Sequence, residues 1–195
     1  MQKLTLATLS TLALSLSCTS VFAVDGTITV NGAVIDGTCV LQGSDYSQIT
    51  GLKNLTLKMP TIPKSKFKPT DPPAESFTVF LANAIGGACD LVTSNALKGI
   101  HLSAISPTDL DATDKTLLVN KAIGASTKNP VFIRILTAYS AEIVDLSAPW
   151  GVQAKSPVSY NIGYAIYYRA QYVSKTGIVD PQTVQAKINY TLHYN

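Results

Sequence analysis

A chain of 195 residues, 46% hydrophobic and 14% charged, is long enough for one domain with a substantial core. Its net charge of +3 is too small for an electrostatic grip on nucleic acid. Beyond the N-terminal segment, no run is long and apolar enough to span a bilayer.

Residues 1–23 read as a signal peptide. Lys3 supplies a short positive region, and residues 4–16 form an apolar run relieved only by Thr and Ser. Val21-Phe22-Ala23 puts small residues at the two positions a signal peptidase reads, so the mature chain is expected to start at Val24. Lipid attachment at Cys18 is the rival reading, but Ser15 stands where a lipobox usually has Leu. Cleavage removes Cys18 and leaves Cys39 and Cys89. In an exported domain, two cysteines point to a disulfide rather than to a metal site or a nucleophile pair.

Period-two alternation dominates the mature chain and predicts strands. Ile28, Val30 and Val34 alternate with Thr29, Asn31 and Ala33; Leu55, Leu57 and Met59 alternate with Thr56 and Lys58. Residues 60–73 hold five of the ten prolines, and Lys53, Lys58, Lys64, Lys66 and Lys68 crowd the same region. That stretch is expected to be a solvated loop or irregular edge, because Pro cannot donate to a ladder. Phe77, Val79 and Leu81 share one face, as do Ile100, Leu102 and Ala104. Residues 109–118 hold either a short helix or a loop; no other amphipathic helix is expected. Val131, Ile133 and Ile135 repeat the strand pattern, and Phe132 and Leu136 opposite them predict burial of both faces. The longest run places Tyr160, Ile162, Tyr164, Ile166, Tyr168 and Tyr172 on one face of a single strand. The chain closes with Val184, Ile188, Tyr190, Leu192 and Tyr194, alternating with polar residues to the last position. Turn formers such as Gly86-Gly87, Ser106-Pro107, Asn129-Pro130 and Asp180-Pro181 separate the runs. This is the pattern of a β-sandwich with one core. The final strand needs a partner for its open edge, because an exposed apolar edge invites aggregation.

Little in the sequence suggests catalysis. His101 and His193 lie on the polar sides of alternating strands, and His101 has no carboxylate in local reach to orient it in a triad. No His or Cys pair has zinc spacing, and no glycine-rich phosphate loop is present. Asp109, Asp111 and Asp114 resemble a calcium cluster but lack the glycine and terminal Glu of an EF-hand, which favours a solvated loop. Trp150, between Pro149 and Gly151, either stacks on a sugar or protein partner or covers one end of the core. No cofactor is implied.

Four segments together resemble a chaperone–usher, type 1-like fimbrial pilin. Residues 25–39 are similar to the alternating N-terminal segment, with central Gly32, that runs into the family's first cysteine. Residues 77–81 followed by Cys89 resemble the strand leading to the second cysteine. Residues 164–172 resemble the penultimate strand, and the closing alternation with penultimate Tyr194 resembles the chaperone-binding motif. The chain departs from the family in having Gln182 where a glycine often stands, and in the long Lys/Pro stretch between its cysteines.

The resemblance implies an all-β, incomplete immunoglobulin-like sandwich that lacks its seventh strand and is completed by a donor strand. It implies a signal peptide at 1–23, a donor segment at 24–35 and a pilin domain at 36–195. Ile28, Val30, Gly32 and Val34 would enter a neighbour's groove; Ile188, Tyr190, Leu192 and Tyr194 would form the groove edge gripped by the chaperone. Implied partners are a periplasmic pilus chaperone, an outer-membrane usher and neighbouring pilin subunits. The implied location is the cell-surface fimbrium of a Gram-negative bacterium, reached through the periplasm. The implied role is structural and non-enzymatic, supporting cell adhesion; the alternative is a minor tip or adaptor subunit with a glycan- or protein-binding surface.

Overall fold

The computed structural model describes Thr29, Val34 and residues 39–44, 48–161 and 163–195. Compact units fall at Met1–Asn31 and Gly32–Asn195, and every strand and helix described lies in the second. Its main strands, six of four residues or more, are β1 Val40–Gly43, β4 Ala74–Ala82, β5 Leu97–Ala104, β6 Phe132–Thr137, β8 Ala165–Val173 and β9 Ile188–Tyr194. Three two-residue strands, β2 Ile49–Thr50, β3 Thr56–Leu57 and β7 Val158–Ser159, complete the set. The protein is all-β, as the alternation predicts.

The larger sheet runs β1-β4-β8-β6, wholly antiparallel, with β7 beside β6 on the same edge of β8. Hydrophobic alternation sets its register: Phe77, Val79 and Leu81 of β4 and Ile166, Tyr168 and Ala170 of β8 are all buried in one core. β6 is buried on both faces, which its paired apolar rows predict. Its free edge is bridged by Leu118 and Ile143. The second sheet pairs β5 with β9 at seven positions, from Leu97↔Tyr194 to Ala104↔Ile188. Leu97, Ile100 and Leu102 join the same core. Tyr168 is fully buried; its hydroxyl accepts the Ser156 amide, and burial pushes its pKa up to about 12.

Cys39 and Cys89 form a disulfide with Cα atoms 5.9 Å apart, inside the usual range. It ties the start of β1 to the loop after β4. With the cysteines 50 positions apart in sequence, the bridge is expected to stabilise the fold by about 4 kcal/mol, chiefly by restricting the unfolded chain. Urea unfolding of the Cys39→Ser/Cys89→Ser variant is expected to lose that amount; an unchanged midpoint would contradict it.

Several local features differ from the sequence reading. The single strand expected over Tyr160 to Tyr172 is a hairpin: Val158 pairs with Ile166 and Ser159 with Ala165. The chain reverses through Gly163 and Tyr164, both in left-handed backbone at φ 68° and 57°. A period-two pattern cannot reveal such a turn when apolar residues lie on either side of it. A short helix, α1 Leu91–Ala96, follows Cys89, with the Asp90 carboxylate capping the Thr93 amide at 2.8 Å. Residues 109–118 are not helical beyond a 3-10 turn at Pro107–Asp109. Asp111 and Asp114 instead accept local amides in Asx turns, and Leu110 bridges Leu118. Of the Leu55–Met59 alternation, only Thr56–Leu57 forms a ladder, against Ile49–Thr50. The Lys/Pro stretch is irregular apart from one 3-10 turn, and its five lysines are exposed.

Candidate functional site

The site is the last strand and its approach. From Thr183 to Leu192 the chain alternates strictly between exposed and half-buried positions. Val184, Ala186, Ile188, Tyr190 and Leu192 form one row that packs on the core, yet none is fully buried. Leu55, Leu57 and Met59 make a second half-buried row on the same core. By contrast, Val79 of β4 and Ile166, Tyr168 and Ala170 of β8 are covered almost completely. Among the described residues, β9 pairs with β5 alone, and its outer edge has no strand beside it.

Tyr190 links β9 to the first sheet. Its hydroxyl donates to the Lys53 carbonyl at 2.9 Å and accepts the Leu41 amide at 3.4 Å. Tyr194 points inward at the far end of the strand. Its hydroxyl is buried without a hydrogen-bond partner among the described residues, and burial raises its pKa, with Asp90 and Tyr190 adding to the shift.

The approach to β9 and the far edge of β5 are held by contacts that local sequence does not reveal. Gln182, at the position where the pilin resemblance leads one to expect glycine, is a hub. Its Oε1 accepts from the Asn120 side chain and from the Ser126 and Val131 amides, and its Nε2 donates to the Asn129 and Asp180 carbonyls. Asn120 in turn accepts the Gln185 amide and donates to the Thr183 carbonyl. The loop at 120–131 thus holds residues 182–185 extended ahead of β9. On the far edge of β5, Gln153 stands in for a missing strand. It accepts the Leu102 amide at 3.0 Å and donates to the Leu102 and Asp145 carbonyls, each at 2.7 Å. β5 is therefore closed on that side, and the open edge of this small sheet belongs to β9.

The other expected chemistry dissolves into structural contacts. Trp150 stacks on His193 with ring centroids 4.1 Å apart, and Lys155 Nζ sits 4.5 Å from its ring centre. The Trp150 ring also lies against Gly99, where a Cβ would come within 3.2 Å of it; this and a φ of +143° explain the glycine. Trp150 covers the outer side of the β5–β9 pair, which favours the covering role over a free stacking platform. His101 bonds the Ala148 carbonyl at 2.9 Å. Desolvation, then His101 and Lys155, hold the His193 pKa below its ordinary value. Asp109 pairs with Lys121, Asp111 with Lys175 and Asp114 with Arg134, so the acid cluster is engaged in ion pairs. Among the described residues, the one grouping with metal-ligand spacing is Cys39, Cys89 and Asp90, and its sulfurs are bonded to each other. No helix among them is long and apolar enough to cross a membrane.

Of the site residues expected from sequence, Ile188, Tyr190, Leu192 and Tyr194 come together on the inward side of β9. Ile28, Val30 and Gly32 lie outside the described residues. Val34 is described, and its side chain is 97% exposed.

No family model matches the chain. It is 28% identical over 181 residues to the F17 fimbrial protein of Escherichia coli, spanning 91% of this chain and 92% of that protein. Its fold matches the crystal structure of the P pilus rod subunit PapA with a TM-score of 0.54 at 14% identity, covering 87% of this chain and all of the other. The chain is similar to fimbrial and pilus subunits, in sequence along nearly its whole length and in fold. In this pilin-like fold, the half-covered inner face beside the unpaired edge of β9 is where the sandwich is incomplete. The solved likeness shows the fold; the 28% identity along nearly the whole length carries the resemblance into the sequence itself.

Proposed function

We propose that this protein is a structural subunit of a chaperone–usher pilus that polymerises by donor-strand exchange and supports cell adhesion. The observation that carries the reading is the last strand: β9 packs its apolar row on the core at half cover and has no strand on its outer edge among the described residues. A strand added there would supply ladder hydrogen bonds along β9 and side chains for the gap between the two half-buried rows. It would also bring backbone groups to the orphaned Tyr194 hydroxyl.

In this reading residues 1–23 are cleaved as a signal peptide, and 24–35 are the donor for the next subunit. Ile28, Val30 and Val34 would each contribute about 1.5–3 kcal/mol if fully buried in a neighbour's groove. The near-complete exposure of Val34 suits a residue whose burial partner is another molecule. Gly32 would fit a shallow point of the groove, where a side chain would clash. A periplasmic chaperone would occupy the groove first, and an outer-membrane usher would oversee its replacement. The assembled fimbrium would stand on the cell surface of a Gram-negative bacterium. The alternative, a minor tip or adaptor subunit with a glycan- or protein-binding surface, gains nothing from Trp150, whose ring is already packed against His193, Lys155 and Gly99.

Periplasmic expression with and without a pilus chaperone tests the proposal. With the chaperone, a stable one-to-one complex is expected on sizing; without it, self-assembled polymers or degradation. A monodisperse, stable monomer in both cases would contradict an incomplete fold.

A further inference from the structure

The lysine- and proline-rich stretch has no part in the role proposed above. Between residues 53 and 70 stand five lysines and no acid. All five are exposed, and none makes an ion pair or a side-chain hydrogen bond among the described residues. The stretch is nonetheless fixed in place. Residues 60–73 leave and rejoin the domain at one residue of β8: the Tyr172 hydroxyl donates to the Pro60 carbonyl at 3.2 Å, and the Tyr172 amide to the Pro73 carbonyl at 2.9 Å. Between these ties, the tip is shaped by the 3-10 turn Lys64–Lys66 and by a turn that the Asp71 amide closes on the Lys68 carbonyl. Pro69 lies against Gly177, where an added Cβ would come within 3.1 Å of it. Ile62 and Phe67 are half-buried, while Lys64, Lys66 and Lys68 between and beside them are exposed. A fourth cation adjoins the tip. Hydrogen bonds from Ser126 and Asn129, then the charges of Lys64 and Lys128, hold the Asp180 pKa below its ordinary value, so the two lysines flank one carboxylate.

We propose that Lys64, Lys66, Lys68 and Lys128 form a binding surface for an anionic polysaccharide, a chain that carries sulfate or carboxylate groups along its repeats. The cations are set along a loop rather than around a pocket, which suits repeated charge on a long chain better than one small anion. None of them is an arginine, so the surface offers point charges rather than the bidentate fork that reads a single phosphate. Four cations face two acids, Asp71 and Asp180, and the Asp180 carboxylate is already engaged by Ser126 and Asn129. A single-stranded nucleic acid would call for exposed rings on which bases stack, and the one ring of the loop, Phe67, is half-buried. A lipid surface would call for exposed apolar side chains beside the cations, and Ile62 and Phe67 are the loop's only apolar residues besides its prolines. The prolines and the two ties to Tyr172 set the backbone before any partner arrives. Binding then orders little beyond the lysine side chains, which lowers its entropic cost.

The test uses the full-length protein in the form in which it is purified, with every variant in the same form. Its binding is measured to immobilised dextran sulfate and heparin, to neutral dextran and to phosphatidylglycerol vesicles. The wild type is expected to bind the two sulfated polysaccharides and not neutral dextran, with an affinity that falls steeply as salt is raised. Lys66→Ser/Lys68→Ser is expected to weaken binding about tenfold and to flatten the salt dependence. Lys66→Arg/Lys68→Arg keeps both charges and is expected to retain binding. Lys98→Ser/Lys115→Ser removes the same net charge from exposed positions outside the loop and is expected to change binding little. Equal weakening by the two serine pairs would show attraction to net charge alone and overturn the assigned surface. No binding of the wild type to either sulfated polysaccharide would overturn the proposal outright. Binding to the vesicles without binding to the polysaccharides would replace the partner with a lipid surface and overturn it as well.

Discussion

Removing residues 188–195 is expected to leave no folded subunit, even with a chaperone present. β9 is the ladder partner of β5 at seven positions, and its four inward apolar side chains pack on the core. Without it, Leu97, Ile100 and Leu102 lose their cover on one side, and β5 loses half its hydrogen-bond partners. Four half-buried side chains at about 1 kcal/mol or more each, added to the orphaned edge, approach the 5–15 kcal/mol that a typical domain has in total. The strand is also the surface a chaperone would pair with, so the usual rescue is lost with it. Periplasmic accumulation and circular dichroism of the truncated chain check this. A soluble product with cooperative unfolding would contradict the role given to β9.

Gln153→Leu is expected to destabilise the subunit by about 3–6 kcal/mol, an unusually large effect for a loop position. Gln153 is 3% exposed and serves three backbone groups: the Leu102 amide, the Leu102 carbonyl and the Asp145 carbonyl. Leucine has nearly the same bulk but leaves all three unpartnered, and each buried orphan costs about 1–3 kcal/mol. Gln153→Glu separates the two halves of the contact. A carboxylate can still accept the Leu102 amide but has no proton for the two carbonyls, so a loss of similar sign is expected. Urea denaturation of subunits complemented with peptide gives the numbers. A change below about 1 kcal/mol for Gln153→Leu would mean that the edge of β5 is closed by something other than this side chain.

What could be read from the sequence was whatever the strand period encodes. β4, β5 and β9 follow from alternation because one face of each meets a single core, and the closing alternation marked β9 as an edge in need of a partner. The hairpin at Tyr160 to Tyr164 was hidden because its two arms continue one apolar pattern through the turn. α1 was hidden because six residues are too few to establish a helical period. The tail and the approach to β9 were legible, but their supports were not. Gln153 acts on Leu102 and Gln182 on Asn120 and Asn129, across separations of more than fifty residues. Such side-chain to backbone contacts leave no mark on local pattern. Gln182 is the clearest case: as a departure from the family's glycine it carried no structural meaning until its hydrogen bonds were seen.

The central claim is that the gap beside β9 accepts the N-terminal segment of another copy. The most direct measurement is uptake of a synthetic peptide of residues 24–35 by the chaperone-bound subunit, compared with peptides carrying Val30→Asp or Gly32→Leu. The wild-type peptide is expected to displace the chaperone and give a complex with a raised unfolding temperature. Val30→Asp is expected to fail because it buries an unpaired charge, and Gly32→Leu because it forces a large side chain into a tight groove, a clash of typically ~1–3 kcal/mol. Equal exchange by all three peptides, or by none, would contradict the account.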